Sequence, residues 1–394
     1  MDILGAYRIA AYLTAQTLGT SPAVESVLVH RSVSTGEVVF GRSDIDLMLV
    51  IRRAAVFDGQ QMASLWRLVR RARRFNPALS HIDVLEPDGI ERLARADTCL
   101  ASTERHSLRR LCGKPATFPE LPVEPSHALA RFVLWAEWYF AIALQTKNRR
   151  NIRKIALEMW NTYAVAEGLL AEPLLRRDEM ESHLCATEGA AAARYLDDPA
   201  RGAAFTFDLA RRLHRSRLPE LGQLPAPLVF ETTTAPLGLR RVFAVVPRAD
   251  SRLPPEVFAR PGVFPCIPEV LHLHLHYRNA YLAWAMPAQL LDLGMKLPGP
   301  SRYLATSRNF NDDRFLRVPG FASAHSPGPA AMLSCLRYAL PFLQRGEVPP
   351  PFTAQEMQSL ASGVPSIDDY YRLQYPALRR EIDSLREGLD AAVC

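Results

Sequence analysis

Two short apolar runs, at residues 26–30 and 45–51, constrain the fold of this chain more than any other feature. Each has the length of a β-strand, and the second carries Asp44 and Asp46 at its start. Because side chains alternate between the two faces of a strand, both acids are expected on one face, together with Met48. Carboxylates inside an apolar strand need a compensating charge. The pattern therefore predicts a strand whose acids serve a chemical purpose.

A third acid, Asp83, lies in another short apolar run at residues 81–85, after a helical pattern at 60–75. If this strand is a neighbour of the acidic strand, three carboxylates converge, and a metal ion is the usual means of relieving their repulsion. Three acids that hold Mg²⁺ suit phosphoryl or nucleotidyl transfer, because the metal bridges phosphate oxygens.

A turn is predicted directly after the first apolar run, and it contains Ser32 and Gly36. Glycine lets a backbone approach a phosphate closely, and a serine hydroxyl and backbone amides can donate hydrogen bonds to it. The turn is therefore a candidate phosphate-binding segment.

These motifs resemble those of the DNA polymerase β-like nucleotidyltransferase superfamily. Its pattern is a Gly-Ser pair after the first strand, a second glycine, an Asp-x-Asp strand often preceded by serine, and a later third acid. Ser32, Gly36, the stretch SDIDL at 43–47 and Asp83 match this pattern, over about the first 100 residues. Arg31 stands where the pattern has glycine; an arginine could hold a phosphate itself or crowd the turn.

The resemblance implies transfer of a nucleoside monophosphate from an NTP to an acceptor hydroxyl, with release of pyrophosphate. AMP is the nucleoside monophosphate expected first. By this resemblance Asp44, Asp46 and Asp83 are the catalytic residues. All three would be ligands of Mg²⁺ or Mn²⁺, and Asp83 could also act as general base. The nucleotide would be bound by a second set of side chains: Ser32, Gly36, Ser43 and Lys154.

The order of helical and strand patterns predicts an α+β protein, with a small mixed-sheet nucleotidyltransferase-fold domain followed by a mainly helical C-terminal region. Four prolines between Gly113 and Ser126 indicate a linker. The predicted segments are a catalytic domain at 1–112, a Pro-rich linker at 113–126, a helical domain at 127–217, and a mixed, then helical, region at 218–394 that selects the acceptor.

Two basic patches stand out from a net charge of only +6. Residues 52–74 contain seven arginines and one acid, and four of these arginines share one helical face: Arg67, Arg70, Arg71 and Arg74. A solvated outer helix face is the favoured interpretation, and a nucleic-acid backbone is the alternative ligand. The second patch, 147–154, contains five cations and no acid. It is either an inter-helix turn or the place from which Lys154 reaches the triphosphate.

The remaining composition narrows the functional classes. Apolar residues make up 48% of the chain, which predicts a folded protein. No apolar run approaches the roughly 20 residues that a membrane helix needs, and no export signal is visible. Six cysteines form no CxxC pair, so a reduced, cytoplasmic protein is expected.

The expected partners are an NTP, ATP first, and a hydroxyl acceptor. A small molecule is preferred as acceptor, while RNA, a protein side chain and a second nucleotide stay open. Nucleic acid is not favoured as a partner. The alternative to an enzyme is a non-catalytic sensor or binding module with the same fold.

Overall fold

The computed structural model describes residues 2–41, 43–138, 149–222, 244–245, 263–264, 273, 277, 372 and 375–393. The chain divides into two units. The first comprises residues 1–122, 284–303 and 363–394, and the second comprises 123–283 and 304–362. Much of the predicted 218–394 region lies outside the described residues, and so does Lys147 of the second basic patch.

A four-stranded sheet organises the first unit. Its strands are β1 (Val24–His30), β2 (Ile45–Ile51), β3 (Leu79–Leu85) and β4 (Arg109–Gly113), in the order β3-β2-β1-β4. β1 is antiparallel to β2 and β4, whereas β2 and β3 are parallel. All seven residues of β2 are buried, so this strand is covered on both faces. The mixed sheet confirms the α+β prediction.

The parallel pair β2 and β3 requires a crossover, which α3 (Arg53–Val56) and α4 (Gly59–Phe75) provide. α4 begins after Asp58, whose carboxylate accepts hydrogen bonds from the backbone N–H groups of Gln60 and Gln61 at 2.9 and 3.0 Å. Its apolar residues recur at helical spacing and are buried: Met62, Leu65, Trp66, Val69 and Ala72.

Helix α1 (Ile3–Gly19) lies on the sheet face that carries Leu49. The Cys112 thiol donates to the Ala15 carbonyl at 3.4 Å, and Cys112 pairs with Val27, which in turn pairs with Leu49. α4 belongs to the same layer because it packs against α1.

The opposite face, which carries Asp46, is covered by the layer of α5 (Gly89–Ala96) and α6 (Thr98–Ser107). Glu104 of α6 contacts His30, whose partner across β1 and β2 is Asp46, and α5 packs against α6. The sheet therefore separates α4 from the acids.

A C-terminal helix, α12 (Tyr375–Val393), also belongs to the first unit. Its Arg379 forms a buried bidentate ion pair with Glu86, directly after β3, and one of the two hydrogen bonds measures 2.8 Å. The two residues are 293 positions apart, so this ion pair joins distant parts of the sequence within the first unit.

Five helices lie in the described residues 123–138 and 149–222 of the second unit: α7 (Pro125–Trp138), α8 (Arg149–Ala166), α9 (Arg177–Glu188), α10 (Ala190–Tyr195) and α11 (Pro199–Leu221). Two short strands follow, β5 (Ala244–Val245) and β6 (Val263–Phe264), which pair in parallel. None of the described helices combines the length and hydropathy needed to cross a membrane. Cys99, Cys112 and Cys185 carry free thiols.

Candidate functional site

Asp46 and Asp83 lie on one face of two neighbouring strands. In the parallel register Asp46 is opposite His81 and Asp83 is opposite Met48, so the two acids are diagonal neighbours. Asp46 is only 5% exposed, and the Asp83 side chain is 22% exposed. β2 and β3 are thus adjacent, as the convergence of the acids requires.

Asp44 lies one residue before β2 and is half-buried. Its backbone carbonyl accepts a hydrogen bond from the Ser32 hydroxyl at 3.5 Å. This contact brings the turn after β1 against the start of the acidic strand, because β1 and β2 are antiparallel. The candidate phosphate-binding residue and the first acid therefore lie together.

Ser43 holds the loop that leads into β2. Its hydroxyl accepts a hydrogen bond from the Val39 backbone N–H at 2.8 Å, and its carbonyl accepts one from the Tyr7 hydroxyl at 2.8 Å. These bonds give Ser43 a role in positioning the acidic strand; its predicted role in binding nucleotide stays a prediction.

In the turn after β1, the backbone of Arg31 adopts a conformation that is usually found at glycine. Arg31 has φ 58° and ψ −138°, and it is the one non-glycine residue with positive φ in the described part of the chain. A β-carbon in this region costs about 1–3 kcal/mol. The four-residue helix α2 (Ser32–Thr35) follows, and Gly36 ends it at φ 85°. The strained position is the one where the superfamily pattern has glycine.

The Arg31 side chain lies beside the second acid. Its Nη1 atom is 3.7 Å from Asp46 Oδ1, and the side chain is 43% exposed. The guanidinium therefore compensates part of the charge of a nearly buried carboxylate.

His30, which the sequence analysis did not identify, is fully buried next to the third acid. Its Nδ1 is 2.9 Å from both oxygens of Glu104, and its Nε2 is 3.6 Å from Asp83 Oδ2. Burial opposes a charge on the imidazole, but the carboxylates of Glu104 and Asp83 outweigh it and raise the pKa of His30. Burial likewise opposes the Glu104 carboxylate, yet His30 keeps the pKa of Glu104 below its usual value. Each residue thus favours the charged form of the other, and Nε2 of the imidazole faces Asp83.

Lys154 lies in the second unit, exposed on α8, and forms no ion pair with a described residue. Its neighbour Arg153 is paired with Glu181 at 2.5 Å and with Asp197 at 2.8 Å. The charge of Arg153 therefore serves packing between helices. Contact of Lys154 with a triphosphate stays a prediction.

The donors in this site are carboxylates, the ligands that Mg²⁺ and Mn²⁺ prefer. Within the described ranges, no group of three His, Cys, Asp or Glu side chains is already arranged to hold a metal ion. Asp46 and Asp83 are nonetheless withdrawn from water on one face, next to the guanidinium of Arg31 and the imidazole of His30. The donor chemistry fits a hard divalent cation, with Asp44, Asp46 and Asp83 as the residues that would hold it.

A cavity of about 570 Å³ lies elsewhere on the sheet. It is lined by Glu25, Arg52, Arg53, Pro87 and Asp88. These residues border the end of β2, whereas Asp44 precedes its beginning. The cavity is therefore not part of the acidic site.

Comparisons of the chain with protein-family models, curated proteins and solved structures gave no match.

Proposed function

We propose that the protein is a metal-dependent nucleotidyltransferase that moves a nucleoside monophosphate, AMP from ATP in the first instance, to a hydroxyl of a small molecule. The observation that carries the proposal is the position of Asp46 and Asp83 on one face of adjacent strands. The glycine-type backbone at Arg31, directly before Ser32, supports it because phosphate-binding turns require such geometry.

In this proposal the turn binds phosphate and the strands carry the acids. The Ser32 hydroxyl makes one long contact of 3.5 Å among the described residues, so it can turn to donate to a phosphate oxygen. Gly36 leaves room for the ligand, because it has no side chain. Ser43 fixes the loop so that Asp44 and Asp46 keep their places relative to the turn.

Asp83 would accept the proton of the attacking hydroxyl. This step needs an ionised carboxylate, and the imidazole Nε2 of His30 lies 3.6 Å from it. Glu104 holds the imidazole in place through Nδ1. Mg²⁺, when bound to the acids, would neutralise charge on the phosphates and on the departing pyrophosphate.

The test measures pyrophosphate release from each NTP with Mg²⁺ or Mn²⁺ across a panel of hydroxyl acceptors. Incubation of cell extract with labelled ATP, followed by mass spectrometry, would identify the nucleotidylated product. Asp46→Asn and Asp83→Asn should each reduce turnover about 100-fold or more. Asp178→Asn, on an exposed aspartate of the second unit, is the matched control and should leave turnover unchanged. Absence of turnover with every NTP and acceptor, with metal-dependent NTP binding unaffected by Asp46→Asn, would refute the enzyme proposal.

A non-catalytic nucleotide sensor is the second candidate, and the Arg31 to Asp46 ion pair favours it. A protein cation 3.7 Å from the acid supplies charge compensation that a metal supplies in an enzyme. A sensor should bind NTP equally well with Mg²⁺ and with EDTA, and Arg31→Gly should weaken that binding. An enzyme should bind NTP only with the metal, whichever residue occupies position 31.

A further inference from the structure

Four arginines form an uncompensated cationic surface on α4, which we term the arginine face: Arg67, Arg70, Arg71 and Arg74. They are spaced at i, i+3, i+4 and i+7, and all four are exposed. α4 contains no acid, and the one side-chain partner of this set is the neutral hydroxyl of Ser64, to which Arg67 donates at 3.1 Å. Among the described residues, none of the four is paired with a carboxylate.

Three other arginines of the same unit are paired with carboxylates, whereas the exposed Arg8, Arg52, Arg109 and Arg110 form no ion pair with a described residue. Arg53 lies 3.2 Å from Asp88, Arg92 lies 3.9 Å from the same carboxylate, and Arg95 lies 2.8 Å from Glu91. The pairs of Arg92 and Arg95 are at i, i+4 spacing, which stabilises a helix. The arginine face lacks this stabilisation and concentrates like charges instead.

An exposed aromatic ring ends the same helix. Phe75 is 89% exposed, and it follows Arg71 by four positions, which places it on the adjacent turn of the same side. Exposure of a phenyl ring to water is unfavourable by itself. A ring next to guanidinium groups provides what single-stranded nucleic acids use, a surface for stacking a base beside donors for phosphates.

We propose that the arginine face and Phe75 bind single-stranded nucleic acid, with the arginines on successive phosphates and the ring stacked on an unpaired base. The four arginines span about 10 Å of helix, enough to follow roughly three phosphates. Charge complementarity selects a polyanion, and the ring selects unpaired bases over a duplex. The sheet separates this surface from the acids, so binding here is independent of the proposed nucleotidyl transfer.

The experiment measures fluorescence anisotropy of labelled single strands of about 12 nucleotides, as RNA and as DNA, against the full chain. With roughly three phosphates neutralised, the slope of log affinity against log salt is about −2.1. Affinity should therefore fall about 20-fold between about 50 and about 200 mM KCl. The triple variant R67Q/R70Q/R71Q should reduce the slope to about −0.7. F75A should weaken binding about fivefold or more without changing the salt slope. F75W should retain the affinity of the wild type, because tryptophan also stacks on a base.

The matched control is R53Q/R92Q/R95Q, which removes three exposed arginines that are already paired. It should leave affinity within about twofold of wild type, because those charges are compensated. An equal loss of affinity for the single strands in both triple variants would overturn the proposal, because binding would then depend on the net charge of the protein alone. Equal binding of duplex, heparin or anionic vesicles, unaffected by F75A, would overturn it too, as would no binding of either single strand at low salt. Nucleotidyl transfer to a small acceptor, measured in parallel, should be unchanged in R67Q/R70Q/R71Q, so failure of either proposal is recognised separately.

Discussion

Replacement of Arg31 by glycine and by alanine tests the geometry of the turn after β1. Both variants lose the ion pair with Asp46, so that loss cancels when the two are compared. Alanine keeps a β-carbon at φ 58°, where strain costs about 1–3 kcal/mol. Glycine removes the strain but loses about 0.5–1 kcal/mol through the entropy of the unfolded chain. Arg31→Gly should therefore be more stable than Arg31→Ala, by about 1 kcal/mol.

Native-state hydrogen exchange of peptides from β1 and β2 is the appropriate assay, because a chain of two units need not unfold in one step. A difference of about 1 kcal/mol makes exchange about fivefold slower in the glycine variant. The control is Ala63→Gly, half-exposed within α4, where φ is negative and glycine should destabilise by about 1 kcal/mol. Faster exchange in Arg31→Gly than in Arg31→Ala would refute the positive φ, and with it the likeness of this turn to a phosphate-binding turn.

Three further predictions concern the first unit. Arg379→Met should destabilise it by about 3–5 kcal/mol, because Glu86 is left buried without its partner; Glu86→Gln in the same chain should restore most of the urea midpoint. Asp58→Ala removes the N-cap of α4 and should cost about 1 kcal/mol in urea unfolding, whereas Asp58→Asn should cost less. The contribution of His30 to the free energy of unfolding is complete below pH 6.5 and is lost as pH rises through its raised pKa. The contribution of Glu104 is complete above pH 4.5 and is lost as pH falls through its lowered pKa. Stability from this pair should therefore be greatest between these values, and a variant with glutamine at both positions should show no such maximum.

Local patterns were sufficient to predict the elements that carry the acids. The run at 45–51 coincides with β2, since seven apolar and acidic residues between polar segments leave little choice of boundary. The helix predicted at 60–75 begins one residue earlier, at Gly59, because Asp58 supplies the cap. The i, i+3, i+4 spacing of the arginines also correctly indicated an exposed face. Each of these features depends on residues within a few positions of one another.

The features that sequence reasoning missed depend on distant residues. His30 pairs with Glu104 across 74 positions, and nothing near either residue marks the other. Strand β4 has no buried residue and no alternation of apolar and polar positions; it forms because the edge of β1 needs hydrogen-bond partners. The only sequence signal for His30 was its place at the end of an apolar strand, directly before the turn.

The backbone conformation of the turn after β1 does not depend on which side chain stands at position 31. The ion pair of Arg31 with Asp46 is screened by solvent on the arginine side, which is 43% exposed, and at 3.7 Å it contributes about 1 kcal/mol, only the lower end of the strain of about 1–3 kcal/mol. Other contacts must therefore hold the conformation. The Arg31 carbonyl accepts hydrogen bonds from the backbone N–H groups of Ser34 and Thr35, at 3.0 and 2.9 Å, and these bonds do not depend on the side chain at position 31. A glycine at that position should leave the turn in place, so the difference from the superfamily pattern affects what lies beside Asp46 and not the path of the chain.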